Sequence, residues 1–267
     1  MTKSVVAILA EVEERGFSIV PGLLAGERLA RVRKAFDAAI DEMERRDLVI
    51  FDPRLDPNDR NIRVNNLPDM DPVFMELLRD PTAVAIARAL LGETMFVSNF
   101  TANMTTPGSA SMNIHSDQAL CSPEPWNDAW MLNVIWCLDR VTPENGGTLF
   151  IPGSHRYHTL ADVPANGEGV LRVLEAPAGA AIVLEGRVWH TSGLNTTHDE
   201  RRALLFALYN RDFLRPQVNW EVLLSGETKA RLTDEDRALL GMGALCNIHG
   251  VDLIMQAGYE LGSAVVM

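Results

Sequence analysis

The stretch NIHSDQ, residues 113–118, sets a histidine and an aspartate two positions apart. In an extended strand, residues i and i+2 point to the same side. Read as a strand, SMNIHSD puts Met112, Ile114 and Ser116 on one face and Asn113, His115 and Asp117 on the other. His115 and Asp117 then project together. An imidazole beside a carboxylate is two thirds of the facial triad that holds non-haem Fe(II) and leaves coordination positions open. The pair alone is common as an ordinary surface or hydrogen-bonded pair, so a third ligand is needed. The other histidines are His155, His158, His190, His198 and His249. His198 lies in a polar loop, and His155 and His158 follow the Pro152–Gly153 turn. His190, in EGRVWHTSGLN, follows the apolar run AAIVL and a turn, which makes it the best-placed third ligand. Its bland alternative is a buried histidine bonded to backbone.

A second chemical requirement is a cation for an anionic co-substrate. HDERRALLFALYN opens a strand with Arg201 and Arg202. A guanidinium grips a carboxylate bidentately, which suits a dicarboxylic acid. Only one of two adjacent strand residues can face inward.

These groups need a scaffold, and the chain divides by texture. In ERLARVRKAFDAAIDEMERR, Leu29, Val32, Phe36, Ile40 and Met43 recur at helical spacing and predict an amphipathic helix. Asp71-Pro72 and Asp80-Pro81 each supply a capping carboxylate followed by proline at the first helical position. Gly92 is the expected stop. Residues 51–66 are polar and aperiodic and predict a long loop, either a lid or a solvated connection. From about Phe96, short apolar runs predict strands at MFVSNFTANM, SMNIHSD, WMLNVIWCLD, GTLFIP, AAIVLE and RALLFALYN. Strands without intervening helices argue for a sandwich or barrel. A single domain is the simplest organisation: a helical part at about 1–95, a β core at about 96–215 and a C-terminal extension.

The composition excludes some partners. The 267 residues carry a net charge of -12, which disfavours nucleic acid and anionic membrane. No apolar run approaches the ~18 residues of a membrane span. The first residues lack the pattern of a secretory signal. Cys121, Cys137 and Cys246 are widely spaced, which suggests reduced thiols and a cytoplasmic location.

The segments HSDQ, LDRVTPENGGTLFIPGSH and WHTSGLNTTHDERRAL, in that order, resemble the phytanoyl-CoA dioxygenase family of Fe(II)/2-oxoglutarate-dependent oxygenases. The opening ERGFSIVPGLL and its helix extend the resemblance over nearly the whole chain. The resemblance implies a mainly β fold with flanking α-helices: a double-stranded β-helix, or jelly roll, of the cupin-like kind. It implies Fe(II) as cofactor, 2-oxoglutarate as co-substrate and O2 as oxidant. By position, His115, Asp117 and His190 match the iron ligands. Arg201, eleven residues after His190, matches the arginine that grips the distal carboxylate of 2-oxoglutarate, with Arg202 then facing outward. Thr148 and Gln118 resemble further co-substrate contacts in the secondary-metabolite branch. Ile135 stands where some relatives place another. His155 should not be a ligand. Asp117 argues against halogenation, since halogenating relatives lack this carboxylate.

The implied activity is hydroxylation, or else desaturation, cyclisation or epoxidation, with release of succinate and CO2. The expected substrate is a small natural-product intermediate. Its walls would be residues 51–66 and 119–130, with Trp126 and Trp130 available to stack and Arg54, Arg60 and Arg63 available to an anionic group. No cationic cluster suits a CoA diphosphate. One rival is a cupin-type metalloenzyme that does not use 2-oxoglutarate, which would have no need of a dicarboxylate clamp. Another is a non-catalytic binding protein of the same fold. A serine hydrolase is weaker, since Ser154 lacks the flanking glycines of a nucleophile elbow.

Overall fold

The structure, a computed structural model, describes residues 3–242 apart from 49, 52, 54 and 57. Arg54, Cys246 and His249 lie outside the described residues, as does the end of the C-terminal extension.

The helical part comprises α1 (Val5–Arg15), α2 (Gly26–Arg45), α3 (Leu67–Met70), α4 (Pro72–Leu78) and α5 (Pro81–Leu91). The strands are β1 (Phe17–Val20), β2 (Asn61–Val64), β3 (Phe96–Thr105), β4 (Met131–Cys137), β5 (Thr148–Phe150), β6 (Arg172–Val173), β7 (Ala181–Glu185), β8 (His190–Ser192) and β9 (Arg202–Asn210). Among the described residues, three short helices follow: α6 (Trp220–Leu223), α7 (Gly226–Arg231) and α8 (Asp234–Leu239).

The expected jelly roll is present. Six strands form one sheet in the order β1-β7-β4-β9-β3-β2, and three form a second in the order β6-β5-β8. All the pairings are antiparallel. Side-chain alternation gives the large sheet two faces. Leu132, Val134, Trp136, Ala203, Leu205 and Ala207 join the core shared with α2, α4 and α5. Ile135, Cys137, Ile182, Leu184 and Leu204 point the other way and pack with Phe150 of the small sheet. With both faces covered, β4, β7 and β9 read as continuous apolar runs, as strands buried on both sides do.

The predicted helix signals hold. In α2, Val32, Phe36, Ile40 and Met43 are buried. Asp71 caps α4 by accepting from the Val73 amide, and Asp80 caps α5 by accepting from Thr82 and Ala83. Helix α1 ends at Gly16, whose φ of +84° suits glycine. A β-carbon there would lie 2.7 Å from Val188 Cγ2 and 2.8 Å from His155 Nδ1. Gly16→Ala therefore combines a left-handed penalty with overpacking. We expect it to destabilise the protein by about 2–4 kcal/mol in urea melts.

Two expectations fail. SMNIHSD forms no strand; it holds one isolated bridge, between His115 and His190, and Asp117 then opens a 3-10 turn, Asp117–Leu120. Ser116 causes the turn. Its hydroxyl accepts from the Ala119 amide and donates to the Gly186 carbonyl at 2.8 Å, so the backbone satisfies itself locally. The polar stretch 51–66 is not all loop, because β2 pairs with β3 there as an edge strand.

Candidate active site

A cavity of about 420 Å³ opens within the jelly roll. His115, Asp117 and His190 line it, and their ligand atoms all lie within 4.8 Å of one another. The two histidines are tied through backbone. His115 N donates to His190 O at 2.9 Å, and His190 N donates to His115 O at 2.7 Å. Strand β8 therefore carries one imidazole and pins the other through its backbone, while the 3-10 turn swings the Asp117 carboxylate in beside them.

The tautomers suit a metal. His115 Nδ1 lies 2.9 Å from the Asn113 carbonyl, and His190 Nδ1 lies 2.9 Å from the Val188 carbonyl. A carbonyl only accepts, so each Nδ1 carries the proton and each Nε2 offers a lone pair. Burial, then the neighbouring His115, push the His190 pKa down to about 4, with Asp117 acting weakly in the other direction. His190 is thus held neutral, as a ligand must be. Asp117 Oδ2 accepts from Asn133 Nδ2 at 3.0 Å, which orients the carboxylate. The residues fit a facial triad.

Asn133 lines the same cavity from β4 and is a single amide in an otherwise apolar strand. Such outer partners fix ligand geometry, and their loss typically costs ~10–100-fold in metal affinity. We expect Asn133→Ala to weaken iron binding by about that factor in a metal-competition titration, with the fold retained.

The two arginines are placed opposite to the expectation. Arg202 lines the cavity and is buried, whereas Arg201 is on the outside. Arg202 stands in phase with the inward Leu204, Phe206 and Leu208 on β9, and a shift of one residue reverses the face. Its Nη2 donates to the Gly146 carbonyl at 2.6 Å, while its buried Nε has no hydrogen-bond partner among the described residues. Burial lowers its pKa to about 10, so it stays charged at neutral pH. Arg201 instead donates to Asp37 of α2 at 2.7 Å and reaches Asp139 at 3.6 Å. It joins helix to sheet and cannot meet a ligand in the cavity.

The remaining expected residues divide. Thr148 is buried on β5 and lines the cavity. Gln118 is also buried but turns away: its Nε2 donates to the Asp128 carbonyl, and its Oε1 accepts from the Trp130 amide, both at 2.8 Å. With both ends engaged it clamps the loop and does not bind co-substrate. Ile135 lies in the apolar packing between the sheets. Trp126 packs with Ile151 and Trp189 and donates to the Cys121 carbonyl at 2.7 Å, so it does not stack in the cavity. Trp130 meets Phe213 edge-on. Arg60 is exposed beside Asp59. Arg63 lines the cavity but is held bidentately by Asp56 at 2.6 and 2.7 Å. His155 faces the end of α1, with its Nε2 3.2 Å from the Glu13 carbonyl, far in role from the triad. Ser154 fastens a turn by donating to Ile151 O and accepting from Trp189 N.

Sequence reasoning missed a polar row. Asn99, Thr101 and Asn103 of β3 line the cavity, while Phe100, Ala102 and Met104 alternate toward the core. The period-2 pattern in SNFTANM carried that signal.

Comparison with known proteins agrees with this geometry. Residues 12–203 match the family model described as Phytanoyl-CoA dioxygenase (PhyH). The chain is 42% identical over 261 residues to Dioxygenase af480 of Aspergillus fumigatus, covering 96% of this chain and 83% of that protein. It is 26% identical to the multifunctional dioxygenase prhA of Penicillium brasilianum, covering 95% and 88%. Among solved structures, EctD from S. alaskensis with 2-oxoglutarate and 5-hydroxyectoine superposes with a TM-score of 0.66 at 22% identity, covering 82% of each chain. HygX from Streptomyces hygroscopicus with nickel and 2-oxoglutarate gives 0.62 at 19% identity, covering 79% and 88%. Those two likenesses speak to fold.

Proposed function

The chain belongs to the phytanoyl-CoA dioxygenase family, and we propose that it hydroxylates a small natural-product intermediate as a non-haem Fe(II)/2-oxoglutarate-dependent oxygenase. The observation that carries this reading is one cavity lined both by the His115–Asp117–His190 cluster and by the buried Arg202. A metalloenzyme that does not use a dicarboxylate has no need of that arginine.

His115 and His190 would hold the iron through Nε2, and Asp117 through its carboxylate, which Asn133 orients. Arg202 would receive the distal carboxylate of 2-oxoglutarate through its Nε, and Thr148, which lines the same cavity, would donate to the same co-substrate. When bound, the iron supplies oxidation of a substrate C–H bond by O2, coupled to conversion of 2-oxoglutarate to succinate and CO2. The chain supplies position. Arg202 and the triad set the co-substrate's two ends, and Phe206 and Leu208 give the cavity a dry apolar side.

No helix among the described residues is long and apolar enough to cross a membrane. A reducing compartment such as the cytoplasm suits the free Cys121 and Cys137, the latter with its thiol pushed up to about 12 by burial. The relatives are named as dioxygenases, which supports an oxidative reaction.

The test is an anaerobic titration of metal-free protein with Fe(II) and then 2-oxoglutarate. We expect the weak visible absorption of the iron–2-oxoglutarate chelate. Iron binding without that absorption would favour the metalloenzyme that dispenses with 2-oxoglutarate.

A further inference from the structure

The turn between β7 and β8 carries more than its length suggests. It is a β-turn of Glu185, Gly186, Arg187 and Val188, closed by the Val188 amide donating to the Glu185 carbonyl at 3.0 Å. The Gly186 carbonyl accepts twice, from the Gln118 amide at 2.9 Å and from the Ser116 hydroxyl at 2.8 Å. Those two residues flank Asp117, so one oxygen brackets the residue that bears the carboxylate. Two positions on, the Val188 carbonyl accepts from His190 Nδ1 at 2.9 Å. His190 in turn holds His115 through the reciprocal backbone bridge. All three members of the triad therefore refer back to this turn. Position 186 has to be glycine, because a β-carbon there would lie 2.7 Å from the Met131 carbonyl oxygen. Glycine leaves the turn free in conformation, so something else must fix it.

A buried ion pair is placed to do so. The Glu185 side chain is 3% exposed, and its carboxylate accepts from the Arg187 amide at 3.0 Å and from Arg187 Nε at 3.0 and 3.1 Å. The same guanidinium reaches on with Nη1 to the Asn127 carbonyl at 3.0 Å and the Trp126 carbonyl at 3.5 Å, in the loop after the 3-10 turn. Neither Glu185 nor Arg187 lines the triad's cavity. We propose that Glu185 and Arg187 are positioning residues for the metal centre, locking the turn so that its two carbonyls present Asp117 and His190 in one geometry. The inference rests on the reading of His115, Asp117 and His190 as the iron site. A different turn conformation would break the pair and leave a buried carboxylate without its cation, which is strongly unfavourable. Charge-assisted bonds are also directional, and burial keeps salt from screening them. Lysine is a poor substitute for Arg187, since one ammonium nitrogen would replace two nitrogens that bond in different directions.

The experiment uses the full chain free of metal. Three proteins are compared: wild type, Arg187→Lys, and the double variant Glu185→Met with Arg187→Met, which keeps volume and leaves no buried charge unpaired. Fe(II) affinity is read by competition with a chromophoric chelator. The Gln118 amide is followed by hydrogen exchange before any metal is added, and stability by a thermal melt. We expect Fe(II) to bind about tenfold more weakly to both variants, the lower end of the ~10–100-fold range for partners of metal ligands. The Gln118 amide should exchange at least about tenfold faster in both. The melting midpoint of the double variant should stay within about 3 °C of wild type. Wild-type Fe(II) affinity or unchanged Gln118 exchange in a folded variant would overturn the proposal. So would a loss of affinity that only follows a matching loss of stability, the mark of general loosening. If the double variant does not fold, Arg187→Lys, which keeps the charge, decides by the same readings. If wild type binds no Fe(II), the iron-site reading fails and this proposal with it; wild-type binding beside unaffected variants refutes this proposal alone.

Discussion

Arg202→Ala is expected to weaken 2-oxoglutarate binding by about 10–100-fold, because charge-assisted hydrogen bonds are each worth roughly 1.5–3 kcal/mol. Arg201→Ala is expected to change the same constant by less than about twofold, since exposed ion pairs contribute little. The contrast comes from placement. Arg202 is buried in the cavity with its Nε unpartnered among the described residues. The Arg201 side chain is 37% exposed and bonded to Asp37 on the opposite side of the sheet. Arg202→Lys separates charge from geometry: it keeps a cation but loses the planar fork, and should restore only part of the binding. Isothermal titration of the iron-loaded protein with 2-oxoglutarate measures all three. If Arg201→Ala proves the more damaging change, the phase assigned to β9 is wrong.

Asp117→Ala is expected to reduce iron binding and substrate-dependent succinate formation to background. The folded state should lose less than about 1 kcal/mol, as for other partly exposed polar positions. Asp117 is half-buried at the start of a one-turn 3-10 helix capped by Ser116, and its carboxylate accepts a hydrogen bond from Asn133. The turn survives the loss of the carboxylate; the triad does not. Iron titration alongside a thermal melt tells the two apart. Normal turnover in a stably folded variant would remove Asp117 from the proposed site.

Much of the site was legible, though partly for the wrong reason. His115 and Asp117 were paired on the assumption of a strand. They converge because a bridge to β8 holds one and a 3-10 turn carries the other. Residue type was the durable signal, since few arrangements other than a ligand set bring His, Asp and His within reach of one another in a cavity. The arginine phase was not legible. β9 is buried on both faces, so its hydrophobicity shows no alternation from which to tell Arg201 from Arg202. Counting positions from His190 left an error of one residue, and in a strand one residue is the whole difference. Gln118 failed for another reason. Burial suggested nothing about which way its amide points, and only the loop packing at Asp128 and Trp130 decides that. Strand β2 was hidden because its inward Arg63 and Asn61 make a cavity-lining strand look like a polar loop. The helices, by contrast, are announced by local chemistry at Asp71, Asp80 and Gly92, which needs no tertiary context.

The reciprocal backbone bridge between His115 and His190 separates two kinds of inheritance. The histidine pair is fixed by main-chain atoms, which any residues flanking it can provide. The walls that meet a guest come from elsewhere: side chains of β3, Leu55 before β2, and Leu120 at the end of the 3-10 turn. Exchanging those side chains leaves the bridge intact. A lineage built this way can drift from one small molecule to another through single substitutions without passing through an inactive ancestor, and a protein engineer can follow the same route.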